Sequence, residues 1–226
     1  MRVYLKTLGC RLNQAEIDRM ARQLILLGHE VVDSPADAES VIVNTCAVTQ
    51  EANRSSRQAV YQLGRENPAA AITVTGCYAH LEPGEAAALP GVVNVVDNLH
   101  KEALVPDLTG APPGTLATLE RFDQEPMVRD AQPGVGGRTR AFVKVQDGCD
   151  RHCTFCVTRI ARGPGRSRPL ADIVAEVQAL GAAGYQEAVL TGVHLGSYGW
   201  DRGEADGLMQ LIRALLVDTD MPRLRL

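Results

Sequence analysis

Short apolar segments alternate with amphipathic segments along the first hundred residues, and this alternation constrains the fold more than any other feature. Four segments have the length and residue types of strands: residues 3–5, 40–44, 71–75 and 91–96. Three intervening segments have apolar residues at helical spacing: residues 16–27, which Gly28 would terminate, 51–63 and 85–89. Alternating strands and helices predict an α/β fold with a mostly parallel sheet that is covered on both faces.

The same alternation resumes after a segment rich in proline and glycine. Residues 105–137 contain five prolines and five glycines without sustained periodicity, which predicts a linker between residues 1–104 and 138–226. The second domain has two predicted strands and two predicted helices: residues 141–145 and 187–190, and residues 170–180 and 208–217. Residues 223–226 alternate like a strand that has just begun, and we expect the second domain to be incomplete.

Three cysteines of the first domain share a position relative to the predicted strands. Each lies just past the carboxyl end of a strand: Cys10, Cys46 and Cys77. Because the carboxyl ends of parallel strands line a common crevice, we favour a shared metal site over three unrelated buried cysteines. Gly9 and Gly76 would let the backbone approach a bulky ligand. Three polar residues flank the triplet and are candidate hydrogen-bond donors to a group bound there: Asn13 (alternatively a helix cap), Asn44 and Thr45.

A second, compact triplet has the spacing C-x3-C-x2-C. It consists of Cys149, Cys153 and Cys156. Three thiolates from one short loop can hold three corners of a cubane iron–sulfur cluster. Structural zinc normally takes four protein ligands, and His152 is interpreted as a non-ligand because it lies directly beside Cys153. A disulfide would leave one cysteine unpaired.

No apolar run approaches the roughly 18 residues that a membrane-spanning helix needs, and no signal-peptide stretch precedes Cys10. We therefore expect a cytoplasmic protein without membrane contact, in which thiols stay reduced and serve metal binding or catalysis. The formal net charge is -4, yet residues 138–168 contain eight basic and two acidic side chains. A basic stretch around a cysteine cluster favours a polyanionic partner over a merely solvated loop.

The compact loop, with Phe155 before its last cysteine, resembles the signature of the radical-SAM superfamily. Together, TLGCRLNQAE, VIVNTCAVT, TGCYA and QDGCDRHCTFC…ARGPGRSR resemble the radical-SAM methylthiotransferase family along the whole chain. The resemblance implies that the second domain is the first part of a partial (β/α) barrel. It also implies two [4Fe-4S] clusters: an auxiliary one on Cys10, Cys46 and Cys77, and a radical-SAM one on Cys149, Cys153 and Cys156.

Residues 188–199, AVLTGVHLGSYG, are similar to those of family members that act on N6-threonylcarbamoyladenosine. The implied reaction is methylthiolation of C2 of this nucleoside at position 37 of tRNA, with two S-adenosylmethionine molecules and an electron donor such as flavodoxin or ferredoxin. Isopentenyladenosine in tRNA and a ribosomal protein are the alternative substrates. A non-catalytic electron-transfer protein or zinc scaffold is the alternative of another class.

The resemblance also suggests binding residues outside the cysteines. For S-adenosylmethionine these are Phe155 in the cluster loop, and Thr191 and Gly192 after the next strand. Four arginines near the compact triplet are candidates for tRNA phosphates: Arg159, Arg162, Arg166 and Arg168. Because phosphate contacts have no sequence signature, salt bridges within the barrel remain an equal alternative for these arginines.

Overall fold

The computed structural model describes residues 1–112, 114–116 and 139–226. Its N-terminal unit contains a five-stranded parallel sheet of order β2-β1-β3-β4-β5. The strands are β1 Arg2–Thr7, β2 Glu30–Val32, β3 Ser40–Thr45, β4 Ala71–Gly76 and β5 Val92–Val96. The central strand β3 is buried along its whole length, which explains its nearly continuous apolar sequence.

Helices cover both faces of this sheet. They are α1 Arg11–Leu26, α2 Gln50–Glu66, α3 Cys77–Leu81, α4 Pro83–Ala87 and α5 Leu104–Thr109. Side chains alternate between the faces of β3, so that Ile42 packs with α1 and α5 while Val41 and Val43 pack with α2 and α3. The sheet is thus enclosed by two apolar layers.

The C-terminal unit continues the α/β pattern. Its elements are β6 Arg140–Lys144, β7 Gln146–Asp147, α6 Thr158–Arg162, β8 Arg166–Ser167, α7 Leu170–Ala182, β9 Glu187–Thr191, α8 Gly207–Asp218 and β10 Leu224–Arg225. Strands β10, β9 and β6 form a parallel sheet in that order, and β7 pairs with β8 in antiparallel fashion. Helices α7 and α8 pack on the sheet through Ile173, Leu211 and Leu215.

The predicted α/β class is confirmed, and the differences concern element bounds. Helix α1 begins at Arg11, five residues earlier than predicted. The apolar periodicity did not indicate its first turns because the buried side chains there include the polar Asn13 and Glu16. The predicted linker begins instead with α5, whose Val105 is buried in the N-terminal core. The remainder of that linker, residues 117–137, lies outside the described residues. Among the described helices, none combines the length and apolar character required to cross a membrane.

Candidate functional site

The three dispersed cysteines lie at one edge of the N-terminal sheet. Cys46 and Cys77 directly follow β3 and β4, and Cys10 is the extended residue that precedes α1. All three line one cavity of about 370 Å³. The structure thus places side chains that are up to 67 residues apart in sequence around one space.

Two glycines allow the backbone to pass close to these cysteines. Gly9 has φ +95°, and a Cβ atom there would lie 2.6 Å from the Sγ atom of Cys46. Gly76 has φ +98°, and a Cβ atom there would lie 2.5 Å from the backbone nitrogen of Thr45. Both positions combine a left-handed backbone with a contact that excludes any side chain.

Buried amides hold the loops of this edge together. The Nδ2 atom of Asn13 donates to the carbonyl oxygens of Leu8 (2.7 Å) and Thr45 (3.0 Å), so it bridges the ends of β1 and β3 from inside α1. The Nδ2 atom of Asn98 donates to the carbonyl oxygen of Ala161 at 2.6 Å and lies 3.8 Å from the Sγ atom of Cys77. Asn98 was not predicted from the sequence, although it too follows the carboxyl end of a strand.

The donor set suits an iron–sulfur cluster. Three thiols face one cavity, and cysteine thiolates are the ligands of such clusters. Nowhere in the described ranges do three cysteine, histidine or carboxylate side chains lie close enough to bind one metal ion. A cubane separates its thiolates more widely, because each sulfur binds a different iron. The chemistry of the three thiols that line the cavity therefore fits a cluster.

The compact triplet lies in the exposed loop between β7 and α6. Cys153 and Cys156 are exposed and Cys149 is half-buried. The backbone N–H of Cys149 donates to the carbonyl oxygen of Gly163 at 3.0 Å, which closes the base of the loop. Hydrogen bonds from the side chain and backbone of Thr158 lower the pKa of the Cys156 thiol. The loop therefore presents its thiols outward from a closed base.

Arg162 joins the two units of the protein. Its side chain is 1% exposed, and its Nη1 atom lies 2.9 Å from carboxylate oxygens of both Glu16 in α1 and Asp147 in β7. Its Nη2 atom donates to the Oδ1 atom of Asn13 at 2.5 Å. This placement matches the salt-bridge alternative for Arg162 and not a contact with tRNA phosphate, because both Nη1 and Nη2 already bond to protein groups.

Glu16 lies at the centre of a buried charge network. The Nζ atom of Lys101 donates to its Oε2 atom at 2.8 Å and to the Oδ1 atom of Asn44 at 3.1 Å. Burial alone would raise the pKa of Glu16, but the charges of Lys101, Arg162 and Lys144 hold it well below its ordinary value of 4.5. Glu16 is therefore ionised, and the network depends on its charge.

We expect Glu16→Gln to destabilise the cluster-free protein by about 3–5 kcal/mol, because it leaves the buried cations without their carboxylate. A lowered pKa in the folded state means that the carboxylate stabilises the fold above pH 4.5, and that this contribution is lost as the pH falls through the folded-state pKa. The variant should therefore lose less stability than the wild type between pH 7 and pH 3. Urea unfolding at pH 7, 5 and 3 measures both effects.

Glu66→Gln is the matched control for this experiment. Glu66 is exposed and accepts a hydrogen bond from Gln62 within α2, at 2.7 Å. We expect its free energy of unfolding to stay within about 0.5 kcal/mol of the wild type. Equal losses for the two variants would contradict the role of the buried network.

The other predicted binding residues differ in their surroundings. Thr191 and Gly192 line the same cavity as the dispersed cysteines, whereas Phe155 is 91% exposed in the compact loop. Arg159 is exposed and Arg166 is partly exposed. The Nη1 atom of Arg168 lies 2.6 Å from a carboxylate oxygen of Glu176. That ion pair matches the salt-bridge alternative for Arg168.

Two families match separate parts of the chain. Residues 2–97 match the family described as Uncharacterized protein family UPF0004, and residues 143–216 match the Radical SAM superfamily. The two matched segments include the dispersed and the compact cysteine triplets respectively.

Curated relatives match nearly the whole chain. The threonylcarbamoyladenosine tRNA methylthiotransferase MtaB of Aquifex aeolicus is 42% identical over 90% of this chain and 50% of its own length. The protein of the same name from Thermotoga maritima is 36% identical, over 94% and 48%. The tRNA-2-methylthio-N(6)-dimethylallyladenosine synthase of Maricaulis maris is 34% identical, over 99% and 52%. The chain thus spans about half the length of these relatives.

A solved structure shares the fold. The radical S-adenosylmethionine methyltransferase TsrM from Kitasatospora setae, determined with cobalamin and a [4Fe-4S] cluster, superposes with a TM-score of 0.58 at 17% identity. The match covers 98% of this chain and 54% of that one. The two-unit α/β arrangement is therefore found in an experimentally determined radical-SAM structure.

Proposed function

The chain belongs to the radical-SAM methylthiotransferase family, and on that premise we propose that it methylthiolates C2 of N6-threonylcarbamoyladenosine at position 37 of tRNA. Relatives between 34% and 42% identical are named for threonylcarbamoyladenosine in tRNA. Relatives named for dimethylallyladenosine reach 34% identity and one named for ribosomal protein uS12 reaches 31%. The higher identity to the first group supports this choice of substrate.

The observation that carries the proposal is the composition of the cavity. Its wall combines the dispersed cysteines of the N-terminal unit with Thr158 from α6 and with Thr191 and Gly192 from the end of β9. The predicted auxiliary-cluster cysteines and two of the three predicted S-adenosylmethionine residues, Thr191 and Gly192, thus line the same space. A reaction that needs a sulfur group and a radical at one carbon atom requires this adjacency.

The residues of the chain have separate roles in this proposal. When bound, two [4Fe-4S] clusters and S-adenosylmethionine supply the electron and radical chemistry that acid–base side chains lack. Cys10, Cys46 and Cys77 would hold one cluster, and the compact triplet would hold the other. Three-cysteine ligation leaves one iron of each cluster free of protein ligands. An external donor such as flavodoxin or ferredoxin would supply the electrons.

The cavity wall suits an unstacked base. Three apolar side chains of the C-terminal unit line it and can pack against a base: Leu190, Val193 and Leu195. An anticodon-loop adenine is unstacked more easily than a base within a duplex, and it can enter such a space. The exposed Arg159 and the partly exposed Arg166 lie near this site and are the proposed phosphate contacts.

Mass spectrometry of tRNA nucleosides from a strain that lacks the gene tests the function. We expect the methylthio derivative of threonylcarbamoyladenosine to disappear, its unmodified precursor to accumulate, and a plasmid copy to restore the product. Persistence of the derivative would overturn the proposal. Loss of methylthiolated isopentenyladenosine, or of the modification on a ribosomal protein, would instead identify one of the alternative substrates.

Arg159→Glu tests the proposed RNA contact. We expect weaker binding to an anticodon stem-loop at every salt concentration, and a slope of log affinity against log salt that is smaller by about 0.7 to 0.9 for one lost phosphate contact. Fluorescence anisotropy at salt concentrations from about 50 to about 300 mM measures this slope. The control is Arg65→Glu in the last turn of α2, which lies at the opposite edge of the sheet from the cavity. Identical slopes for both variants would contradict a contact at Arg159.

A further inference from the structure

Arg11 is a cation of the cavity wall without a protein partner. It is the first residue of α1, it is exposed, and it lines the cavity beside Cys10. Within residues 1–112, 114–116 and 139–226, its guanidinium has no hydrogen bond, ion pair or ring contact. An arginine has five N–H donors in a planar fork, so this side chain is available to bind an anionic ligand.

Among the other described residues that line the cavity, none has a cationic side chain without an ion pair. The other arginine of the cavity, Arg162, is neutralised by Glu16 and Asp147. No aspartate or glutamate of the described residues lines the cavity, and much of the wall is apolar. Among the described residues that line the cavity, Arg11 is therefore the cation that forms no ion pair with an aspartate or glutamate, and its guanidinium can bind a ligand without breaking one.

The two nucleosides for which the relatives are named differ in the substituent on N6. A threonylcarbamoyl substituent on N6 carries a free carboxylate and a hydroxyl group, whereas a dimethylallyl substituent is a hydrocarbon. A guanidinium binds a carboxylate through two parallel charge-assisted hydrogen bonds. We propose that Arg11 determines substrate specificity by binding the carboxylate of the threonylcarbamoyl group, an inference that rests on the proposed function.

The apolar part of the wall makes the contact with Arg11 decisive for the choice between the anionic and the hydrocarbon substituent. A carboxylate that moves against the apolar part of this wall loses some of its hydration, and this loss is unfavourable unless a partner replaces the water. Arg11 supplies that partner for the anionic nucleoside and provides nothing for the hydrocarbon. Removal of Arg11 should therefore weaken binding of the anionic substrate selectively.

The test compares Arg11→Gln with the wild type, as the full chain loaded with iron and sulfide. Fluorescence anisotropy is measured on synthetic anticodon stem-loops that carry threonylcarbamoyladenosine, its methyl ester or isopentenyladenosine. We expect the wild type to bind the free acid about 10- to 100-fold more tightly than the ester, because hydrogen bonds between charged groups have this effect. Arg11→Gln should remove that ratio, and Arg11→Lys should restore part of it.

Arg65→Gln is the matched control, because it removes one exposed cation at the other edge of the sheet. It should keep the wild-type ratio of acid to ester. Arg11→Gln should keep the wild-type iron content and electron paramagnetic resonance spectrum. A changed spectrum or iron content would overturn the inference, because Arg11 would then serve a cluster.

Two further outcomes separate this inference from the proposed function. If the wild type prefers the free acid and Arg11→Gln retains that preference, the inference about Arg11 fails and the proposed function stands. If the wild type prefers isopentenyladenosine, the proposed substrate fails, and the inference fails with it.

Discussion

Simultaneous replacement of Cys149, Cys153 and Cys156 by alanine is expected to halve the bound iron and to abolish methylthiolation. After anaerobic reconstitution the wild type should bind about eight irons per chain, and the variant about four, because cubanes contain four irons each. The three side chains lie in an exposed loop whose base is closed by backbone hydrogen bonds. The fold should therefore persist without them. Iron and sulfide analysis, electron paramagnetic resonance and circular dichroism measure these effects.

The reciprocal variant replaces the dispersed triplet, Cys10, Cys46 and Cys77. We expect it too to retain about four irons. It should still cleave S-adenosylmethionine reductively but transfer no methylthio group. Zinc in either site, or about four irons in the wild type, would contradict two clusters. Such a result would favour the scaffold or electron-transfer alternative.

Gly148→Ala is expected to destabilise the fold and to release iron from the compact triplet. Gly148 has φ +66°, and a Cβ atom there would overlap the carbonyl oxygen of Pro164 and lie 2.6 Å from its carbonyl carbon. The left-handed backbone costs alanine about 1–2 kcal/mol, and the overlap adds about 1–3 kcal/mol. The hydrogen bond between Cys149 and Gly163 should break, and iron at the compact triplet should be lost. Urea unfolding and iron analysis measure the two consequences.

Gly184→Ala separates the backbone effect from the overlap. Gly184 has φ +88°, but a Cβ atom there would meet nothing within 4 Å. We expect this control to lose about 1–2 kcal/mol and to retain its full iron content. If Gly148→Ala loses no more stability than the control and retains its iron, the closed base of the loop is not required for cluster binding.

The parallel sheet was predictable because its strands are nearly continuous apolar runs bounded by turn residues. The position of the dispersed cysteines followed from the same pattern, since strand ends locate one edge of the sheet. Asn98 and α3 were missed because neither has a distinctive local pattern. These features depend on how β5 and the end of β4 meet α6, which only the tertiary structure shows.

The burial of Arg162 illustrates what local sequence cannot indicate. It belongs to a stretch of basic residues, and such stretches are usually exposed. Its partner Glu16 is 146 positions away in the chain, and polar residues around Glu16 interrupt the apolar periodicity of α1. The same long-range pairing explains why α1 was predicted to start too late and why the sequence left two alternatives open for Arg162.

The ion pairs of Arg162 limit which units of two related proteins can be joined in one chain. Its guanidinium bonds to Glu16 in the N-terminal unit and to Asp147 in the C-terminal unit. A chimera that exchanges one unit for a relative without the complementary group would bury an unpaired charge at the junction. A chimera of two family members should therefore fold best when both sides of this contact come with it.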